Sequence, residues 1–241
     1  MASIRDQVFV VTGGGGAIAR PILQSFVAAG AKVVAADRTA EIAARAADTG
    51  ASPLAADLSS AAGAAAMVRA TVEKFGAVDG LIHTVGGFAM GPLVEADDAA
   101  YERMFDLNVR TLFHAIRAVV PGMIERKRGF VAAFSSEPGW SGAAPGSALY
   151  GASKSAVATL LRSLDGELRA SPVRVAIVYP MGAVDTPANR RDMPSVDPAT
   201  YIDPVEIAET LRFAAERGPR ARLLELPVFP GRPGGSARPA S

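Results

Sequence analysis

Residues 8–19 read VFVVTGGGGAIA, an apolar run followed by four consecutive glycines and then a helical pattern from about residue 17. The apolar run 8–11 is typical of a buried strand. A glycine-rich turn between a strand and a helix lets backbone N–H groups approach a pyrophosphate, and the helix dipole adds to the attraction. Gly14 to Ala19 also satisfies the loose G-x-G-x-x-G/A fingerprint. The segment therefore predicts a dinucleotide-binding turn.

An acidic residue stands where such a turn needs one. Asp37 ends the second predicted strand, about 20 residues after the turn. A carboxylate there can accept hydrogen bonds from the adenosine ribose hydroxyls and would repel a 2′-phosphate. Arg38 follows it and keeps NADP possible. Because the Asp37 carboxylate should dominate, we expect NAD, with NADP the less favoured cofactor. The alternative is a flexible glycine loop beside a solvated aspartate.

The rest of the chain alternates short apolar runs with longer helical segments. Further strands are predicted at 32–36, 81–85, 130–134 and 173–178, and helices at about 17–29, 40–49, 59–75, 98–126, 148–170 and 204–217. This alternation predicts an α/β fold with a doubly wound parallel sheet, Rossmann-like, in three α/β/α layers. We expect one domain over residues 1–228 and a Pro/Gly-rich tail over 229–241.

The composition excludes several classes of function. Lys and Arg number 25 against 24 Asp and Glu, which leaves no electrostatic footprint for nucleic acid or an anionic membrane. No apolar run approaches the roughly 20 residues of a membrane span, and the amino terminus lacks the apolar core of a secretory signal. There is no cysteine, and the two histidines are scattered, so we expect no disulfide and no metal site. A soluble cytoplasmic protein is expected.

Tyr150 and Lys154 begin a predicted helix, four residues apart, so their side chains share one helix face. A phenol has an ordinary pKa near 10, and a nearby ammonium together with an oxidised nicotinamide ring would lower that pKa. Such a group can take a proton from a hydroxyl or give one to a carbonyl. Alone, the Y-x-x-x-K pattern usually marks a solvated helix face. Here it lies in the fifth strand–helix unit after the glycine turn, just beyond Ser135 and Ser136.

Together these residues resemble the short-chain dehydrogenase/reductase family over essentially the whole chain. The resemblance rests on seven elements in the family's order: Thr12-Gly13-x-x-x-Ala17-x-Ala19, Asp57-Leu58, His83-Thr84-Val85-Gly86, Asn108, Ser136, the pair Tyr150 and Lys154, and the loop from Pro180 to Thr186.

The resemblance implies an NAD(P)-dependent oxidoreductase that moves a hydride between nicotinamide and an alcohol or ketone substrate. Tyr150 would be the general acid/base, Lys154 would also bond the nicotinamide ribose, Ser136 would bond the substrate oxygen, and Asn108 would hold a proton-relay water. The implied cofactor contacts are Gly13, Gly15, Gly16, Ala17, Ile18, Asp37, Arg38, Asp57, Leu58, Val85, Gly86, Tyr150, Lys154, Pro180, Gly182 and Thr186. The alternatives are a catalytically silent dinucleotide-binding regulator and a non-redox dehydratase or isomerase on the same fold.

The sequence also departs from the family pattern. Ala17 and Ala19 replace two glycines of the cofactor loop. His83 and Thr84 replace two asparagines, and we expect them to make structural hydrogen bonds rather than to catalyse. Ser136 lies one residue farther from Tyr150 than is usual, which leaves Ser135 as a weaker candidate. An apparent insertion in Pro180-Met181-Gly182 leaves open which groups touch the nicotinamide.

Two further expectations concern surfaces. Phe88, Met90 and Trp140 would either line an apolar substrate pocket or cap hydrophobic patches. Apolar residues of the predicted helix 98–126 cover more than one face, and the helix after Tyr150 is lean in charge. Because the resembled family packs these two helices across subunits, a homo-oligomer is implied, either a homotetramer or at least a dimer.

Overall fold

The computed structural model of the chain describes residues 3–218 and 220–231, which contain one seven-stranded sheet. Every strand pairs in parallel with its neighbours, in the order β3-β2-β1-β4-β5-β6-β7. The strands are β1 Val8–Thr12, β2 Lys32–Asp37, β3 Ser52–Ala55, β4 Gly80–His83, β5 Gly129–Phe134, β6 Val173–Pro180 and β7 Glu225–Val228. The helices are α1 Ala19–Ala28, α2 Ala40–Ala43, α3 Ala61–Phe75, α4 Asp98–Phe105, α5 Thr111–Glu125, α6 Glu137–Ser141, α7 Ala148–Glu167, α8 Pro187–Asp192 and α9 Pro204–Ala215.

Two hydrophobic clusters fill the space between the sheet and its helices. Helices α1 and α9 pack on one face, where the rings of Phe9 and Phe26 meet edge to face at 4.8 Å. Helices α3, α5 and α7 pack on the other face. Strands β1, β4 and β5 are buried along their whole length, since both of their faces are covered. The predicted three-layer, doubly wound parallel fold is confirmed.

The structure differs from the predicted elements in ways that the local sequence explains. The apolar pattern defines no bounds for strand β3 and does not predict strand β7, because both are edge strands that are only partly buried. The predicted helix 98–126 is interrupted by a π-helical turn, Asp106–Arg110, between α4 and α5. Short helices α6 and α8 stand in the loops after β5 and β6, and each begins at a Ser or Thr cap followed by proline.

The sheet has its topological switch point between β1 and β4. Connections from β1 lead outward to β2 and β3, whereas β4 begins the other half of the sheet. In such sheets a ligand crevice opens at the carboxyl ends of the strands at this point. The glycine turn after β1 and the segment after β4 both lie there. Residues 229–231 have no regular structure, and the rest of the expected tail, 232–241, lies outside the described residues.

Among the helices of the described residues, none is long and apolar enough to cross a membrane.

Candidate active site

The glycine turn is shaped by close contacts with the surrounding backbone. Gly13 has φ of +70°, and an added Cβ would lie 2.8 Å from Thr84 Oγ1. Added Cβ atoms at Gly14 and Gly15 would lie 2.8 Å from Ala35 Cα and 2.3 Å from the Ile42 carbonyl oxygen. These glycines are therefore required by the protein's own packing.

The open side of the turn is formed by Gly16, Ala17 and Ile18, of which the first two are exposed. Ala19, which replaces a family glycine, is wholly buried in the core and starts α1. The first turn of α1 contains no acidic residue, so its positive end faces the crevice uncompensated. The exposed residues Gly16 and Ala17, together with the positive amino end of α1, could therefore bind a pyrophosphate.

Asp37 has a second role that the sequence did not reveal. Its Oδ2 accepts a hydrogen bond from the Gly15 N–H at 3.0 Å, and its Oδ1 accepts one from the Arg38 N–H at 2.7 Å. The carboxylate thereby braces the glycine turn at the end of β2. Each oxygen retains a lone pair that could accept a ribose hydroxyl.

The predicted cofactor contacts Asp57 and Leu58 follow the end of β3. Asp57 accepts a hydrogen bond from the Ser59 N–H at 3.0 Å, and hydrogen bonding to Ser59 lowers the pKa of its carboxyl below the usual value. Leu58 is buried beside it. After β4, Val85 is half-buried and Gly86 is exposed. An added Cβ at Gly86 would lie 2.8 Å from Asn108 Oδ1 and 3.1 Å from Lys154 Nζ, so this backbone runs against the catalytic candidates.

Tyr150 lies in the first turn of α7, opposite the end of β5. Its hydroxyl shares a hydrogen bond with Ser136, the residue that caps α6. Ser135 is turned the other way and donates to the Lys154 carbonyl oxygen at 2.8 Å. The structure therefore brings Ser136, rather than Ser135, to the tyrosine.

Lys154 is 7% exposed, and its Nζ donates to the Phe134 carbonyl oxygen at 3.0 Å. Burial lowers the pKa of this amine to about 8. The Nζ lies 5.9 Å from the centre of the Tyr150 ring, which confirms that both side chains share a helix face. Burial nevertheless raises the pKa of Tyr150, whereas the Ser136 hydrogen bond acts to lower it. Here the cost of desolvation outweighs the expected effect of the ammonium.

Asn108 stands in the middle of the π-helical turn and is 1% exposed. Its Oδ1 accepts from the Gly87 N–H at 2.8 Å, and its Nδ2 donates to the Gly87 carbonyl at 3.1 Å and to Ser153 Oγ at 2.9 Å. Ser153 in turn donates to the Tyr150 carbonyl at 2.7 Å. Asn108 thus ties the segment after β4 to the catalytic helix. Sequence reasoning missed Ser153, although it stands between Tyr150 and Lys154.

His83 is buried between two threonines. Its Nδ1 lies 2.8 Å from Thr12 Oγ1 and its Nε2 lies 3.1 Å from Thr111 Oγ1. Burial, and secondarily the charge of Lys154, lowers the pKa of His83 to about 3. The ring is neutral and satisfied on both sides, in agreement with the expected hydrogen-bonding role. Within 3–218 and 220–231, no group of three His, Cys, Asp or Glu side chains is placed to hold a metal ion.

The loop after β6 closes the carboxyl edge of the site. Met181 N–H bonds the Val228 carbonyl at 2.8 Å, which anchors the loop to β7 next to Pro180. Thr186 is buried, and its Oγ1 caps α8 by accepting from the Asn189 N–H at 3.1 Å. Gly182 is half-buried against Pro230. The hydroxyl proton of Thr186 remains available to a ligand.

Two aromatic residues identified in the sequence have different surroundings. Phe88 is 61% exposed, and its ring stands edge to face with Tyr150 at 4.9 Å. Trp140 packs its ring against Tyr179 at 5.0 Å, just before the loop after β6, and remains half-exposed. Met90 is exposed and lines a cavity of about 320 Å³ between residues 89–97, α4 and Leu149. Of these three side chains, only Phe88 contacts Tyr150 directly.

Comparisons with known proteins agree with this geometry. A sequence model of the short chain dehydrogenase family matches residues 7–196. An uncharacterized oxidoreductase of Staphylococcus saprophyticus is 31% identical, over 95% of this chain and 100% of that protein. The 2-(S)-hydroxypropyl-CoM dehydrogenase 3 of Xanthobacter autotrophicus is 33% identical, over 73% of this chain and 71% of its own. A metagenomic short-chain oxidoreductase, solved in complex with NADP, superposes with a TM-score of 0.80 at 27% identity, over 96% of this chain and 100% of that one.

Proposed function

The chain belongs to the short-chain dehydrogenase/reductase family, and we propose that it interconverts a small-molecule alcohol and ketone with NAD(H) or NADP(H). One observation supports this most strongly. Ser136, Asn108 and the pair Tyr150 and Lys154 come from three separate segments, yet they meet at the carboxyl ends of β4 and β5, beside the glycine turn.

The residues present suit a nicotinamide dinucleotide. Gly16, Ala17 and the start of α1 would hold the pyrophosphate, and Asp37 would accept from the adenosine ribose. Gly86 approaches Lys154 closely enough that any side chain would obstruct the crevice. Gly182 and Thr186 of the loop after β6 would cover the nicotinamide. When bound, the cofactor supplies the hydride chemistry, and the protein supplies orientation and electrostatics.

Tyr150 would handle the proton. Burial raises its pKa, so the hydroxyl keeps its proton at neutral pH and can donate to a carbonyl oxygen. Oxidation of an alcohol needs the phenolate, which a positive charge beside the ring would favour. Ser136, already bonded to this hydroxyl, would bond the substrate oxygen in the same place.

Lys154 would serve both the tyrosine and the cofactor. Among the described residues, the Phe134 carbonyl uses one of its three donors, which leaves two for ribose hydroxyls. A pKa of about 8 leaves the amine mostly protonated at pH 7 but able to exchange its proton. Asn108, held by Gly87 and Ser153, would fix the water that links Lys154 to solvent.

The preferred dinucleotide is a finer proposal. The complex of a similar protein with NADP gives no reason to treat NADP as the less favoured cofactor in the family. In this chain, Asp37 is fixed by two backbone N–H groups and could not turn away from a 2′-phosphate without releasing the glycine turn. We therefore propose NAD(H), with Arg38 as the residue that would permit NADP(H).

We also propose a homo-oligomer, most simply a homotetramer. The apolar side chains Phe113 and Leu107 remain more than a third exposed on α5 and the π-helical turn, and Leu160 does so on α7. Tyr101 of α4 is also exposed, stacked on Phe105 at 4.5 Å. Burial of such a surface between copies would remove it from water. A cytoplasmic location stays a prediction from composition.

A panel of alcohols and ketones, each incubated with NAD(H) and NADP(H), tests the proposal. We expect absorbance at the reduced-nicotinamide band to change for at least one apolar substrate. Bound cofactor with no change for any substrate would contradict a redox role and favour the silent regulator. A converted substrate without net change in the cofactor would indicate a dehydratase or isomerase.

A further inference from the structure

A continuous line of hydrogen bonds, buried on both sides of His83, runs beneath the site from the glycine turn to the π-helical turn. It passes from Thr12 through His83 to Thr111, whose Oγ1 donates to the Leu107 carbonyl at 2.7 Å. Thr12, His83 and Thr111 are each no more than 6% exposed. Solvent therefore cannot replace the two bonds to His83 without opening the core.

The chemistry of the groups allows only one direction for this line. A hydroxyl has one proton, and Thr111 donates its proton to the Leu107 carbonyl, which can only accept a hydrogen bond. The Thr111 oxygen must then accept from His83, so the proton of the neutral ring is on Nε2. The lone pair of Nδ1 accepts from the Thr12 hydroxyl. Every donor thus points from the glycine turn toward Leu107.

The two ends of the line are functional segments. Thr12 is the last residue of β1, directly before Gly13 with its φ of +70°. The Leu107 carbonyl belongs to the π-helical turn, where the Thr111 N–H bonds the Asp106 carbonyl instead. The next residue, Asn108, holds Gly87 and Ser153. A shift of the Leu107 peptide would therefore move the asparagine.

We propose that His83 is a positioning residue that holds the π-helical turn of Asn108 in register with the glycine turn, so that cofactor binding at one is transmitted to the other. The proposal rests on the proposed function only in assigning Asn108 to the proton relay. An asparagine or a glutamine at position 83 could reach one threonine, whereas imidazole reaches both. The side chain is thus a direct hydrogen-bonded bridge between the two segments, in addition to the backbone path through Thr84 and Gly87.

The bond directions can be tested in the protein without cofactor. Nitrogen-15 NMR of the two histidines should show one neutral ring protonated on Nε2 that does not titrate between pH 5 and 8, assigned to His83. The other, His114, donates from Nδ1 to the Leu58 carbonyl at 2.9 Å and should show the opposite tautomer. A His114→Gln variant assigns the signals. A titrating or Nδ1-protonated His83 would overturn the proposal.

The transmission is tested with two matched variants. In His83→Asn the amide oxygen can accept from Thr12 but cannot reach Thr111, whereas in His83→Gln the amide can donate to Thr111 but misses Thr12. We expect His83→Asn to lower kcat about tenfold with unchanged cofactor affinity. His83→Gln should keep kcat close to native.

Hydrogen exchange separates this proposal from a failure of the proposed function, because it needs no turnover. In the native protein, NAD(H) should slow amide exchange over residues 106–112, and in both variants this slowing should be lost. Thr111→Ser, which keeps the hydroxyl, should behave as native, and Thr111→Val should match His83→Asn. Equal loss of kcat in both His83 variants, or cofactor-dependent slowing that survives in both, would overturn the proposal.

Discussion

Replacing Lys154 by methionine should make the protein more stable while it abolishes most of its activity. A pKa of about 8, against an ordinary 10.5, means that the folded state disfavours the protonated amine by about 3 kcal/mol at pH 7. Methionine keeps the apolar stem and removes the charge. Loss of the bond to the Phe134 carbonyl offsets about 1–2 kcal/mol of this gain. The free energy of unfolding of Lys154→Met should therefore exceed that of the native protein by about 1–2 kcal/mol at pH 7.

The advantage of the variant should depend on pH in a definite direction. The pKa of Lys154 is lower in the folded state than in the unfolded state. The free-energy cost of burying its protonated amine is therefore complete below pH 8, decreases as pH rises from 8 toward 10.5, and vanishes above that. Between pH 7 and pH 9, the difference in the free energy of unfolding between Lys154→Met and the native protein should shrink by about 1 kcal/mol.

Urea unfolding of both proteins at pH 7 and pH 9 measures these differences, with the exposed Lys32→Met as control. Kinetic assays of the same samples should show a lower kcat and weaker NAD(H) binding in Lys154→Met, because the ribose contact is lost with the charge. A Lys154→Met variant that is less stable than the native protein at pH 7, or a difference independent of pH, would refute the reasoning.

Three other changes have definite expected outcomes. Asp37→Ser should raise kcat/KM with NADP(H) relative to NAD(H), since it removes the carboxylate that opposes a 2′-phosphate; an unchanged ratio would place cofactor discrimination elsewhere. Phe113→Glu should dissociate the oligomer in light scattering, because it would bury an unpaired charge at the contact, and a native protein that is monomeric at micromolar concentration would contradict the proposed interface. Trp140→Ala should raise KM for the best substrate and leave NAD affinity unchanged; if neither value moves, the ring only caps Tyr179.

The sequence was sufficient for the fold because its strongest signals are local. The glycine turn, the buried strands and the helix periods each depend on neighbouring residues, and together they predict a doubly wound parallel sheet. The edge strands β3 and β7 carried weaker signals, since both strands are only partly buried. The π-helical turn at Asp106–Arg110 could not be predicted, because its hydrogen bonds are stabilised by tertiary partners of Asn108 and Thr111.

The motif spacing predicted which residues of the candidate site lie near one another, but it did not predict all the hydrogen bonds that connect them. The motif spacing predicted Tyr150, Lys154 and Ser136, which the structure brings together. It did not predict that Asp37 binds the Gly15 N–H, or that His83 joins two segments. These bonds link residues that are 22, 28 and 71 positions apart in the sequence. The direction of the Tyr150 pKa also required the structure, since it depends on burial.

The turnover of Tyr150→Phe on a substrate that the native protein oxidises tests the central claim most directly. Phenylalanine keeps the ring that packs against Phe88 and removes only the oxygen that would carry the proton. We expect kcat to fall by roughly 10²–10⁴, with cofactor affinity nearly unchanged, and the rise of the oxidation rate with pH to vanish. Tyr101→Phe, an exposed tyrosine of α4, should leave all three unchanged. Near-native turnover of Tyr150→Phe would contradict the proposed mechanism.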